Sequence, residues 1–219
     1  MNKLVFNISN KQIFLGCLLS SIAHAIMTNE YPDLAYEQSW DGDNYSKQFE
    51  RYRMTVSFKD DYCVGVIRND EFRGASVQTI DALLKESKFP NKAIDLLKAE
   101  TLEYVLLDSE DGSAVPVVTS LFYCNTKELL IISDDGEALA SDADTLALYI
   151  VPMEQQVEYW KDYYEMSDEH IVLLLELFRV KSEKFYTAIR LTDAQKKMLP
   201  GEDIDEECVV SFAEMNVVV

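Results

Sequence analysis

Nearly all of this chain's net negative charge sits in two stretches, and that limits which segments can be packed away from water. Residues 100–160 hold thirteen Asp or Glu against one base, Lys127, and residues 201–219 hold six acids and no base. The remaining residues are close to neutral, within a formal net charge of −19. Carboxylates are rarely buried unless paired, so strands and helices in these stretches must carry their acids on turns and outer faces. Segregated charge also gives a negative surface region, which steers and selects a basic partner.

The apolar content still permits a real core, because 48% of the 219 residues are hydrophobic and 11% aromatic. Seven Gly and five Pro are few, and no low-complexity run or internal repeat is visible. Length alone allows one large domain or two small ones. The pattern reads as a single compact α+β domain over residues 29–219, an antiparallel sheet built from hairpins packed against helices. An N-terminal amphipathic helix within residues 1–28 packs on it. Ser9 and Gln12 form a capping box, after which Ile13, Phe14, Cys17, Leu18, Ile22, Ala25 and Ile26 recur at helical spacing. Lys3 and Lys11, the run Ile13–Leu19 and Ala23-His24-Ala25 also imitate a secretory signal, so release after Ala25 is the alternative. No apolar run reaches the ~20 residues that span a bilayer.

Residues 37–45, with Trp40, Gly42 and Asn44, read as a loop. Met54–Phe58 and Cys63–Ile67 around Lys59-Asp60-Asp61 read as a hairpin. Residues 77–88 and 91–103 read as two helices divided by Phe89-Pro90. Val115–Cys124 and Glu128–Ser133 read as a second hairpin around Asn125-Thr126-Lys127. The acids of Asp108–Gly112 and Asp134–Glu137 then fall on turns beside strands, where Asp and Gly also serve plain turn chemistry. The last third is helical, over Glu154–Tyr164, from Asp168 to about Val180 behind the cap Ser167, and after the box Thr192–Gln195. Cys208–Phe212 reads as a closing strand.

Acidity argues against nucleic acid, whose phosphates need clustered Lys and Arg, and against anionic membranes. Two histidines, His24 and His170, stand alone with no metal-binding spacing, and no GxSxG, P-loop or dinucleotide fingerprint occurs. The EF-hand pattern fails: from Asp108, Gly112 falls at position five and Thr119 at twelve. No enzyme activity, metal or cofactor is expected. Cys17, Cys63, Cys124 and Cys208 form no CxxC, and three of them lie in apolar runs. They read as buried free thiols of a cytoplasmic protein.

What remains is binding to a basic protein. The candidate contact residues are the acids Asp41, Asp43, Asp108, Glu110, Asp111, Asp134, Asp135, Glu137, Asp142 and Asp144, with the aromatics Trp40 and Tyr45. A Trp in a polar loop either plugs the edge of a core or anchors an interface, where Trp and Tyr concentrate binding energy. The stretches Glu37–Tyr45, Val64–Asp70 and Trp160–Ser167 are similar in style to immunity proteins that neutralise bacterial polymorphic or contact-dependent toxins. The resemblance covers about a third of the chain and carries over no family residues. It implies a non-catalytic inhibitor of a basic toxin, possible nucleases included, that fills the toxin's phosphate-binding groove with carboxylates and packs aromatics at the centre. The alternative is a secretion or folding chaperone for a basic client. Oligomeric state is left open.

Overall fold

The computed structural model describes residues 1–49, 51–108 and 112–219. The elements in chain order are β1 (Asn2–Phe6), α1 (Asn10–Met27), β2 (Gln38–Asp41), β3 (Asn44–Gln48), β4 (Tyr52–Lys59), β5 (Tyr62–Asn69), α2 (Val77–Glu86) and α3 (Asn91–Ala99). They continue with β6 (Leu106–Asp108), β7 (Ala114–Pro116), β8 (Ser120–Asn125), β9 (Leu129–Ser133), α4 (Gly136–Ala147), α5 (Met153–Tyr163) and α6 (Asp168–Lys181). The chain ends with β10 (Ile189–Arg190), α7 (Asp193–Lys196), α8 (Glu206–Glu214) and β11 (Val217–Val218). The fold is α+β, with an antiparallel sheet and packed helices, as the sequence pattern leads one to expect. Its contacts gather into two compact units, Met1–Gln12 with Asp43–Ala147, and Ile13–Gly42 with Leu148–Val219. The division falls inside α1 instead of after residue 28.

In the first unit the sheet runs β1-β9-β8-β5-β4-β3, each pair antiparallel. The expected hairpins are present. Lys59 faces Tyr62 across a two-residue turn, and Asn125 Oδ1 closes the other turn by accepting from the N–H groups of Lys127 (2.8 Å) and Glu128 (3.0 Å). Two expectations need correction here. Residues 2–6 are a strand, Asn2 opposite Ser133 through Phe6 opposite Leu129, so the helix does not occupy the whole N-terminal segment. Residues 114–116 pair with β6 in a separate small sheet and are not part of β8.

One face of this sheet carries the core. Tyr62, Val64 and Val66 of β5, Leu121 of β8 and Ile132 of β9 pack with Ile80, Leu83 and Leu84 of α2 and with Ala93, Leu96 and Leu97 of α3. The 3–4 spacing of these helical residues is what turns a face inward, and each large side chain so buried contributes about 1.5–3 kcal/mol. Ser76 starts α2 by accepting from Thr79 N–H at 3.3 Å. On the opposite face Gly65 lies under Phe122. A Cβ at position 65 would come within 2.1 Å of that ring, so only glycine admits it.

In the second unit, α1 is buried all round from Gly16 to Met27, polar residues included, where one apolar stripe was expected. A helix hidden on every side must satisfy its polar groups internally. Ser20 Oγ donates to Gln38 Oε1 at 3.0 Å, Ser21 Oγ to Cys17 O at 2.8 Å, and His24 Nδ1 meets the Tyr164 hydroxyl at 3.1 Å. Gly16 lets the Tyr149 backbone approach, since a Cβ there would meet Tyr149 O at 2.0 Å. Of the box expected at Ser9, in the first unit, one half forms, with Ser9 N–H donating to Gln12 Oε1 at 2.9 Å. The boxes at Ser167 and Thr192 are complete, and His170 serves as the acceptor in the first. Residues 206–214 form α8 and not a closing strand: Asp205 caps it, accepting from Glu207 N–H at 2.9 Å. Asn29 fixes the acidic lead-in, donating to Pro200 O and, at 3.0 Å, to Asp203 O, and accepting from Asp205 N–H at 2.8 Å. Lys181 is fully buried, its ammonium donating to Phe185 O and to Thr187 O at 2.9 Å, and loss of water holds it down at about 8.

Candidate functional site

The sequence-derived contact residues divide into three kinds. Glu110 and Asp111 lie outside the described residues, and Asp108 ends β6. Three more are interior, which corrects their assignment to a binding surface. Trp40 is 4% exposed. Its ring packs on Phe14 (5.7 Å) and Phe185 (4.8 Å), its Nε1 donates to Gly42 O at 2.9 Å, and its backbone N–H donates to Glu214 Oε2 at 2.8 Å. Tyr45 is fully buried on β3. The stretch 37–45 is therefore mostly strand, and its aromatics plug cores.

Asp142 is the third. It is fully buried on α4, with Asn69 Nδ2 at 3.3 Å from Oδ1 and Thr119 Oγ1 at 2.6 Å from Oδ2. Burial pushes its carboxyl up, partly countered by bonds from Ser120, Thr119 and Asn69. Thr119 Oγ1 has two acceptors in reach, Asp142 Oδ2 at 2.6 Å and Ile67 O at 3.0 Å.

The remaining acids are at the surface. Asp43 pairs with Lys59 at 3.3 Å, and Asp41 is exposed. Asp134, Asp135, Glu137 and Asp144 are exposed at the start of α4 and along it. Asp135 has a structural task, because its Oδ1 accepts from Glu137 N–H (2.8 Å) and Ala138 N–H (3.1 Å) and so caps the helix. Asp134 and Asp135 also border an open groove of about 610 Å³ with Arg73, Ser76, Gln78 and Val115. The groove mixes one cation with two acids and concentrates no catalytic chemistry.

A different surface in the second unit combines acids with exposed rings. Tyr36, in the 3₁₀ turn Pro32–Glu37, is 72% exposed. Next to it Tyr163, at the end of α5, stacks on Tyr159 with centroids 6.1 Å apart and 14° between planes, and donates to Glu37 Oε2 at 3.1 Å. Burial, then the charge of Glu37, drives the Tyr163 hydroxyl well above the ordinary tyrosine range. Tyr31 is also exposed, and the charge of Glu30, then burial, then the charge of Glu165 raise it. Along α5, Glu154, Glu158 and Asp162 are exposed at intervals of four residues, on one face. Glu165 holds its backbone at φ 52, a left-handed conformation that glycine adopts freely and glutamate adopts at a cost. Tyr31, Tyr36, Tyr163, Glu37 and Glu165 were not among the expected residues. The available signal was tyrosine recurring within acidic context, as in Tyr36-Glu37 and Tyr163-Tyr164-Glu165.

Among the described residues no group of three or more His, Cys, Asp or Glu is placed to hold a metal ion, and no helix is long and apolar enough to cross a membrane. Comparison with protein-family models, curated proteins and solved structures gives no match.

Proposed function

We propose that this chain is a non-catalytic acidic binding protein that blocks a basic protein partner, an inhibitor of the immunity type directed at a toxin. The observation that carries this reading is the cluster of exposed tyrosines and carboxylates around Tyr36 and Tyr163. A tyrosine face attracts the guanidinium or ammonium of Arg and Lys, and an adjacent carboxylate accepts the same group through charge-assisted bonds. Tyr is also among the residues that dominate interface energy. The exposed acids on α4 add a longer-range attraction that speeds encounter and fades with salt, since the Debye length is about 8 Å at physiological ionic strength.

The test is co-expression with whatever protein the neighbouring upstream gene encodes, followed by purification of the pair and assay of the partner. The expected outcome is a stoichiometric complex in which the partner is folded and inactive. A partner held unfolded supports the chaperone alternative. A Tyr36→Ala, Tyr163→Ala chain that binds and inhibits as well as the parent removes the cluster from the interface.

A further inference from the structure

Cys63 of β5 and Cys124 of β8 stand directly opposite each other in the antiparallel register, so both side chains leave the sheet on the same face. Both are fully buried, neither is in a disulfide, and the Cys124 thiol donates to Asn125 O at 3.5 Å and Ile8 O at 3.7 Å. Neighbouring hydrogen bonds fix what kind of pair they form. Along a strand, successive residues turn their N–H and C=O toward alternate neighbours. Phe58 donates to Asp43 O at 2.9 Å, on the β3 side, so Lys59 faces β5, its partner Tyr62 faces β4, and Cys63 faces β8. Asn125 donates to Glu128 O at 3.0 Å, on the β9 side, so Cys124 faces β5. The cysteines are therefore a hydrogen-bonded pair.

The Cα atoms of such a pair lie about 5.5 Å apart, inside the roughly 4.4–6.8 Å that disulfides span. Facing Cβ atoms at these positions lie near the upper end of about 4.5–5.5 Å, against about 3.8 Å in a relaxed disulfide. Closing the bond draws β5 and β8 together and leaves strain, and strained disulfides are the easily reduced, reversible ones.

We propose that Cys63 and Cys124 are a reversible redox pair that closes to a cross-strand disulfide when the chain meets hydrogen peroxide. One sulfur attacks the peroxide O–O bond, becoming a sulfenic acid and releasing water. The second sulfur attacks the first and displaces its hydroxyl as a second water, forming the S–S bond. The two sulfurs lose two electrons, the peroxide gains them, and both thiol protons end in water. Burial restricts the oxidant to a small one that enters as the sheet opens locally. The closed bond ties the β4–β5 hairpin to the β8–β9 hairpin.

The experiment treats the full chain with hydrogen peroxide, alkylates the remaining thiols, and maps the digest by mass spectrometry. The expected result is a loss of two hydrogen masses per chain and a linked peptide pair containing Cys63 and Cys124 that separates on reduction. Two of the four thiols stay alkylatable. A Cys17→Ser, Cys208→Ser chain, with Cys63 and Cys124 untouched, should form the same link. Four free thiols after treatment, a link to a different cysteine or to a second chain, or direct passage to sulfinic acid each overturn the proposal. None of these readouts depends on the partner protein.

Discussion

The acids of α4 and those near the end of α5 come from the same acidic stretch or its border, yet they do different things. On α4, Asp142 is sealed among Asn69 and Thr119 and Asp135 is committed to the helix cap, leaving Asp134, Glu137 and Asp144 in water. Near α5, acids surround tyrosine rings that are themselves exposed. Charge density does not distinguish the two regions. What distinguishes them is whether the carboxylate already has a task in the fold, and what stands next to it.

The largest effect expected from this contrast is at Asp142. Asp142→Ala leaves buried Asn69 and Thr119 groups without their partner, at about 1–3 kcal/mol for each one unsatisfied. Denaturant unfolding should show that loss, and a variant as stable as the parent would erase the distinction on the α4 side. The pH dependence has a definite sign. The folded carboxyl lies above its ordinary value, so the folded state binds the proton more tightly than the unfolded chain does. The stabilisation is full below that value and declines as pH rises through the raised one. Asp142→Asn should flatten that slope.

Next in size is the exposed cluster. Tyr36→Ala should weaken partner binding by about 2 kcal/mol, the scale of an interface hot spot, and leave the melting temperature nearly unchanged. Titration calorimetry and thermal melts on the same preparation separate the two effects. A melting loss in step with the binding loss would make Tyr36 structural.

Asp135→Lys should cost about 1 kcal/mol of stability through the lost cap, while Asp134→Lys costs little. Both should slow association to a similar degree at low salt. If Asp134→Lys destabilises as much as Asp135→Lys, the division of labour at the start of α4 is wrong. Smallest is Glu165→Gly. Glycine relieves the left-handed backbone and should stabilise the fold by about 1 kcal/mol or less, while removing a carboxylate from the tyrosine cluster. Greater stability combined with weaker binding would show strain kept for recognition. Unchanged binding would leave Glu165 outside the contact.

How much of this could be read from residues alone depended on how local the signal was. The β4–β5 hairpin, the helix behind Ser167 and the box at Thr192 rest on turn and cap chemistry within a few residues. Asp134–Glu137 reads as a turn yet leads into α4, because Asp before Gly starts a helix as readily as it makes a turn. The buried set Ala138, Leu139, Asp142, Ala143 and Leu146 decides for a helix. In α8 the β-branched Val209-Val210 pair suggested a strand, although Cys208, Ser211, Phe212 and Met215 follow helical spacing and are the buried residues. Trp40 and Tyr45 went inside while Tyr36 and Tyr163 stayed outside. Nothing in their immediate neighbours settles that, since exposure of an aromatic is decided by which distant residues arrive to cover it.

The second unit is assembled from two pieces of chain, residues 13–42 and 148–219, with the whole of Asp43–Ala147 between them. During synthesis its first piece emerges long before its second. At about 5–20 residues per second, the intervening segment takes on the order of ten seconds to be made. For that time α1, which ends up covered on every side, has no second piece to bury it. The newborn chain thus presents an apolar helix before the residues that cover it exist. Emergence of residues 148–219, whose lead-in to α8 is gripped by Asn29, is the event that lets the second unit close.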